Sequence, residues 1–274
     1  MATKKIVKAE PLAAPASGKQ SPGEKFVASP EAKSKATTFR IIAIVLWALA
    51  IGAELFTIFW LLKRAEMNNF MVWLIAAIVV IGVLALAGSM LWKKANRFDP
   101  ASKKNKARFF IQNQLGAIIT IIAFVPLIVL IFLNKDMDKN QKTIAGIVGI
   151  IAALVVGAAS IDWNPPSTEQ IDDDSAIVMA YTGASSVYWV KGGSVWHLCA
   201  EYPEGTTIPA LARGDLETNP IVEGTVSQAV AAGKNRLSMY GYTECGFVEG
   251  QPAYPQYLPG SDQTPEDDPT DDPT

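Results

Sequence analysis

The sequence predicts an α-helical integral membrane bundle of four transmembrane helices, followed by a small C-terminal α+β module and flanked by disordered tails. Two observations support this fold class. Half of the 274 residues are apolar, and the apolar residues are concentrated in four long stretches, each of the roughly 20 residues that a helix needs to cross the hydrocarbon core. A strongly basic loop separates the second stretch from the third.

That loop, residues 93–108, carries seven Lys or Arg in sixteen residues, with Asp99 as its one acidic side chain. Such a loop crosses a bilayer only at high cost, so it fixes the direction in which the neighbouring spans run. We predict the four spans at residues 41–62, 71–92, 109–133 and 143–163. Residues 1–39 are rich in Ala, Pro, Ser and Lys, a composition typical of a disordered tail.

Orientation follows from the distribution of basic residues. The N-terminal tail through Arg40 has eight and the 93–108 loop has seven, whereas the 63–70 and 134–142 loops have two and three. The positive-inside rule therefore predicts that both termini are cytoplasmic, in a multi-pass protein of the cell membrane. The basic loop is expected to lie against anionic lipid head groups.

The fourth span carries a small residue at every fourth position: Ala145, Gly149, Ala153 and Gly157. Such a ridge lets another helix approach closely. One interpretation is a homo-oligomer interface. The other, which we prefer, is packing within the bundle.

Glu54 lies inside the first span. An ionisable group in the membrane is costly unless it has a partner, so it is a candidate functional residue. Thr120 and Pro126 of the third span are expected at a similar depth, and the proline ring leaves the carbonyl of Ile122 without its helical hydrogen bond. One hypothesis is a proton- or cation-sensitive site in a small transporter or permease. The other is a neutral acid that ties two helices together.

Residues 164–248 form the predicted soluble module. Residues 186–199 predict a β-hairpin around the turn Lys191-Gly192-Gly193. Thr225 and Gln228 have the spacing of a helix capping box, and Gly233 ends that helix. Residues 249–274, rich in Pro and Asp, are expected to be disordered.

His197 and Cys199 are two residues apart on a predicted strand, so their side chains leave the same face. If Cys245 folds back beside them, three zinc ligands converge. This arrangement would make a zinc or thiol sensor. If the module were outside the cytoplasm, Cys199 and Cys245 would be expected to form a disulfide instead.

The segments VYWVKGGSVWHLC, IVEGTVSQAVAAGKNRL and TECGF together resemble a small module of uncharacterised bacterial four-span membrane proteins. The resemblance covers residues 186–248. It implies a membrane protein whose Cys and His pattern forms a metal knuckle, although Ser238 and Val248 depart from that pattern.

Other motifs are absent from the sequence. Gly233-Lys234 lacks the glycine and hydroxyl residues of a phosphate-binding loop, and a single histidine does not support paired-histidine metalloprotease chemistry. We therefore expect no enzymatic activity, no nucleic-acid partner and no cofactor other than zinc. The preferred function is interaction or sensing by a cytoplasmic module held at the lipid bilayer.

Overall fold

The computed structural model describes residues 6–9, 25–209, 211–212 and 219–258. The chain divides into two compact units. Residues 30–167 form the membrane unit, and residues 1–29 together with 168–274 form the module. Of the predicted tails, residues 1–5, 10–24 and 259–274 lie outside the described residues. Residues 249–258 were also predicted to be disordered, and this is wrong: the Tyr254 N–H donates to the Ala180 carbonyl at 2.7 Å, and Pro255–Tyr257 form a 3₁₀ turn.

Four helices are long and apolar enough to span a membrane, and the predicted fold class is confirmed. They are α1 (Pro30–Phe56), α2 (Phe70–Phe98), α3 (Lys106–Leu133) and α4 (Lys139–Ser160). The first helix is extended by a π-helical turn, Thr57–Leu61, and a 3₁₀ turn, Leu62–Arg64.

Helix α1 begins at Pro30, well before the predicted span, so residues 30–39 are helical and the prediction that they are disordered is wrong. Proline is favoured in the first helical turn because the N–H groups of that turn have no acceptor within the helix, so the lack of an N–H in proline costs no hydrogen bond there. Glu31, also in the first turn, interacts favourably with the positive end of the helix dipole. These local signals extend the helix beyond its apolar part.

The core of the membrane unit is apolar. Its fully buried side chains include Leu74 and Ile78 of α2 and Phe124 and Leu127 of α3. Other aliphatic side chains of the same helices point outward, and Val83 is 61% exposed. A bundle in a bilayer has this arrangement because lipid solvates apolar side chains while the backbone is satisfied within each helix.

The module contains two small sheets. In the first, β4 (Ile221–Gly224) lies between β1 (Ile6–Lys8), to which it is parallel, and β2 (Val187–Trp189), to which it is antiparallel. The second pairs β3 (Val195–Trp196) in parallel with β5 (Arg236–Leu237). The helices of the module are α5 (Thr168–Thr182), α6 (Val226–Ala231) and the single turn α7 (Gly241–Glu244), followed by a 3₁₀ turn at Pro255–Tyr257.

The N-terminal strand β1 corrects a second part of the predicted tail. Ile6 pairs with Ile221 and Lys8 with Glu223, and the Ala9 N–H donates to the Glu223 carbonyl at 2.7 Å. A three-residue strand has little intrinsic stability. It is ordered here because the edge of β4 supplies the hydrogen bonds that the segment lacks by itself.

Candidate functional site

The predicted hairpin is present and positions His197 and Cys199. Tyr188 and His197 exchange two backbone hydrogen bonds, of 2.9 and 2.8 Å. Gly193 has φ +80° in the connecting turn, a conformation that glycine adopts without steric cost. His197 is buried, while Cys199 is half-buried.

Cys199 and Cys245 form a disulfide, with their Cα atoms 5.8 Å apart and 46 residues between them in sequence. The zinc hypothesis for His197, Cys199 and Cys245 requires two thiolates, and here the sulfurs are bonded to each other. Within the described residues, no group of three His, Cys, Asp or Glu side chains is arranged to hold a metal ion. The structure therefore favours the disulfide that the sequence allowed as an alternative. The turn α7 brings Cys245 to the hairpin.

A second contact joins the same two segments. Nδ1 of His197 lies 2.9 Å from Oε2 of Glu244, the residue before Cys245. Because a carboxylate accepts hydrogen bonds, Nδ1–H is the donor in this contact. Glu244 was not predicted, because its proximity to His197 depends on the pairing of β3 with β5.

The hairpin turn is also held from within the module by Lys234. Its buried ammonium donates to the carbonyl oxygens of Lys191, Gly192 and Gly193. Burial lowers the pKa of Lys234. All three N–H donors of the ammonium are satisfied, so this lysine has a positioning role in the turn that precedes β3.

Glu54 occupies the interior of the membrane unit, where it is 2% exposed. Its carboxyl group lies near the Leu127 backbone of α3. Thr120, which was expected at a similar depth, has other partners: its hydroxyl donates to the Gly116 carbonyl at 2.9 Å and lies 3.3 Å from Ser160 Oγ. Pro126, directly before Leu127, is inside α3 as expected.

A polar network at the basic-loop end of the bundle was not predicted. Asn96, fully buried, donates to the Gln112 carbonyl at 2.9 Å and lies 3.3 Å from Asn113 Oδ1. Arg40 pairs with Asp99 at 2.9 Å. The sequence feature that could have indicated this network is the presence of polar residues near the ends of two apolar helices. Because these side chains hydrogen-bond to one another and Arg40 pairs with Asp99, the network joins α1, α2 and α3.

The small-residue ridge of α4 packs against α3. Ala145 is fully buried. A Cβ atom on Gly149 would lie 3.1 Å from Ile128, and one on Gly157 would lie 3.9 Å from Thr120. Ala153 is partly buried against the core. These contacts support packing within the bundle, while the homo-oligomer stays a prediction.

Comparisons with protein families, with curated proteins and with solved structures give no match to this chain.

Proposed function

We propose that this protein is a membrane-anchored thiol sensor: four helices hold a small cytoplasmic module in which the Cys199–Cys245 pair opens and closes with the thiol redox state. The observation that carries the proposal is the disulfide between two half-buried cysteines. The module is expected in a compartment where structural disulfides are rare and the disulfides that do form are redox-sensing or catalytic.

The pairing of β1 with β4 supports the topology. Because Ile6–Lys8 hydrogen-bonds within the module, the N-terminus and the module share one side of the membrane, as an even number of spans requires. The basic residues are concentrated in the N-terminal tail and the 93–108 loop. The positive-inside rule assigns that side to the cytoplasm.

The chemistry is thiol–disulfide exchange with a cellular thiol. A thiolate R–S⁻ attacks one cysteine sulfur, forming a mixed disulfide and releasing the other cysteine as a thiolate. A second thiol then displaces the first cysteine and leaves as R–S–S–R. Two electrons pass from two thiols to the Cys199–Cys245 pair. Both cysteine residues are half-buried, so part of each residue is exposed to solvent.

The structural consequence of reduction is a looser attachment of α7. With the disulfide open, α7 is held to the hairpin by the His197–Glu244 contact and by the short β3–β5 pairing. Met239 and Tyr240, immediately before α7, are 76% and 61% exposed. A change in the position of α7 therefore alters an apolar surface that a partner protein can bind. No catalytic step on a substrate is required.

The transporter interpretation of Glu54 is the second candidate. It is favoured by the deep burial of an ionisable group. A transporter is expected to show several polar groups at mid-depth, and Glu54 is the one ionisable side chain in the first three predicted spans. We therefore prefer sensing as the function of the chain.

Cysteine accessibility tests the proposal. Cells are treated with a membrane-impermeant thiol reagent before and after permeabilisation, with and without a permeant oxidant, and the labelled cysteines are identified by mass spectrometry. We expect labelling of Cys199 and Cys245 only after permeabilisation, and loss of labelling after oxidation. Cys199→Ser and Cys245→Ser, which each leave one thiol, control for non-specific oxidation.

Two results would contradict the sensor. If reductant must be added to intact cells before the impermeant reagent labels the pair, the disulfide is structural and the module is outside. If both thiols stay reactive under oxidant, the pair does not sense redox state.

The exposed basic residues of the 93–108 loop favour anionic lipid head groups as a second partner; they are Lys94, Lys103, Lys104, Lys106 and Arg108. Each basic residue near an anionic surface contributes about 1 kcal/mol of attraction. We expect the thermal midpoint to be higher in phosphatidylglycerol nanodiscs than in phosphatidylcholine nanodiscs. Replacing Lys103, Lys104 and Lys106 by Gln should remove the difference.

A further inference from the structure

Glu54 is the one ionisable side chain in the first three predicted spans. Helices α2 and α3, which pack around it, contribute no titratable group from residues 71–92 and 109–133. The nearest basic residues of its own segment are Lys63 and Arg64, which are exposed at the end of that segment. Among the described residues no cation is paired with Glu54, and a carboxylate in this setting costs several kcal/mol.

The carboxyl group of Glu54 lies near the Leu127 backbone. Its Oε1 is buried and has no hydrogen-bond partner in the described part of the chain. Buried polar atoms are satisfied in the large majority of cases, and an unsatisfied one costs about 1–3 kcal/mol. An acid whose purpose was only to join two helices would be expected to use both oxygens.

The backbone on both sides of Glu54 departs from a regular α-helix. The π-helical turn Thr57–Leu61 begins three residues after Glu54. Opposite, Pro126 interrupts the hydrogen-bond ladder of α3 one residue before Leu127. Single π-turns inside helices occur frequently at functional sites. The unsatisfied oxygen thus lies between two helix segments whose backbones are locally adaptable.

From these observations we propose that Glu54 is a reversible proton-binding site within the membrane unit. The proton resides on Oε1, and the neutral acid is the form that the apolar core accommodates. Loss of the proton creates a charge that the core does not compensate, so proton release is coupled to rearrangement of the contact between Glu54 and Leu127. This site is independent of the cysteines and of the sensor function.

An apolar carbodiimide tests the site in the full-length protein in lipid vesicles. The protonated carboxyl transfers its proton to a carbodiimide nitrogen, and the carboxylate oxygen attacks the central carbon. The resulting O-acylisourea rearranges to an N-acylurea with no leaving group, so the mass increases by one reagent molecule. Mass spectrometry gives the position of the adduct. The labelling rate is measured first as the pH is raised and again after the pH is returned to its starting value. Glu54→Gln is the test variant, and Glu66→Gln, at an exposed loop position, is the matched control.

We expect an adduct on Glu54 that is absent from Glu54→Gln and retained in Glu66→Gln, with a rate that falls several-fold at alkaline pH and recovers on return. An absent adduct in the wild type, or a rate independent of pH, overturns the proposal because the acid then does not exchange its proton. Suppression of labelling by Na⁺ at constant pH and ionic strength also overturns it, because the site then binds a cation. Size-exclusion profiles of both variants establish that they are folded.

Discussion

Gly88 of α2 lies directly against Trp47 of α1: a Cβ atom built on Gly88 would be 2.5 Å from the indole Nε1. The indole is 3% exposed, and its N–H donates to the Ala85 carbonyl at 3.2 Å. The ring therefore cannot move aside without losing a hydrogen bond. This contact sets the separation of the first two transmembrane helices.

We expect Gly88→Ala to destabilise the membrane unit by about 1–3 kcal/mol, because an added methyl group overpacks a closely packed contact. The measurement is the thermal midpoint in detergent, followed by tryptophan fluorescence. Gly52→Ala is the matched control: it lies in α1 and has open space at the Cβ position. Its midpoint should stay the same or rise, since Ala has the higher helix propensity. Equal losses for the two variants would show that the Trp47 contact has no special role.

Lys234→Met should destabilise the module by about 1–3 kcal/mol, because the carbonyls of Lys191, Gly192 and Gly193 lose their donor while the aliphatic volume is kept. Limited proteolysis at the hairpin turn, combined with the unfolding midpoint, measures the effect. Lys191→Met is the control, since that side chain is exposed and its backbone carbonyl remains. Unchanged protection of the turn in Lys234→Met would contradict the positioning role.

The structural features of this protein differ in how far the sequence alone could predict them. The capping box of Thr225 and Gln228 is present as predicted, and α6 ends just before Gly233, whose φ is +90°. Both features depend on residues a few positions apart. The hairpin at Tyr188 and His197 was predicted for the same reason. The four spans follow from composition and length.

Other features depend on distant parts of the chain. Strand β1 needs the edge of β4, more than 200 residues later. Helix α5, which carries an acidic run, was not predicted; it is stabilised by burial of Ile171 and Val178. The disulfide depends on how α7 folds back onto the hairpin. The sequence does not show this, so it was consistent with either a zinc site or a disulfide. At Glu54 an ionisable group inside a span was expected, but its position near Leu127 rather than Thr120 depends on the axial register of α1 and α3.

Asp172 gives the module a pH dependence. Burial, with repulsion from Asp173 and Glu169, raises the pKa of Asp172, although its carboxyl accepts a hydrogen bond from the Phe26 N–H. At pH values between the pKa of Asp172 in the unfolded chain and its raised pKa in the folded protein, the folded state binds more protons than the unfolded state. The free energy of unfolding therefore falls as pH rises through this interval.

We expect Asp172→Asn to remove this decrease, because the amide is neutral and still accepts from Phe26. The unfolding midpoint of the variant at neutral pH should equal or exceed that of the wild type. Asp136→Asn, at an exposed position, is the control and should keep the wild-type pH profile. A lower midpoint for Asp172→Asn at neutral pH would show that the charged carboxylate stabilises the fold.

The Cys199–Cys245 disulfide closes a loop across a sequence separation of 46 residues. On the loop-entropy estimate, such a crosslink stabilises the folded state by about 4 kcal/mol. We therefore expect the oxidised wild type to unfold at a higher temperature than the Cys199→Ser/Cys245→Ser double variant, and a reductant to bring the wild type close to the variant. Thermal midpoints with and without reductant, paired with thiol titration, measure this. His197 and Glu244 remain in both proteins, so the comparison isolates the disulfide. The contrary result is a wild-type midpoint that is the same with and without reductant although both thiols titrate as free. It would show that opening the disulfide leaves the module unaltered, so the sensor would lack a structural response.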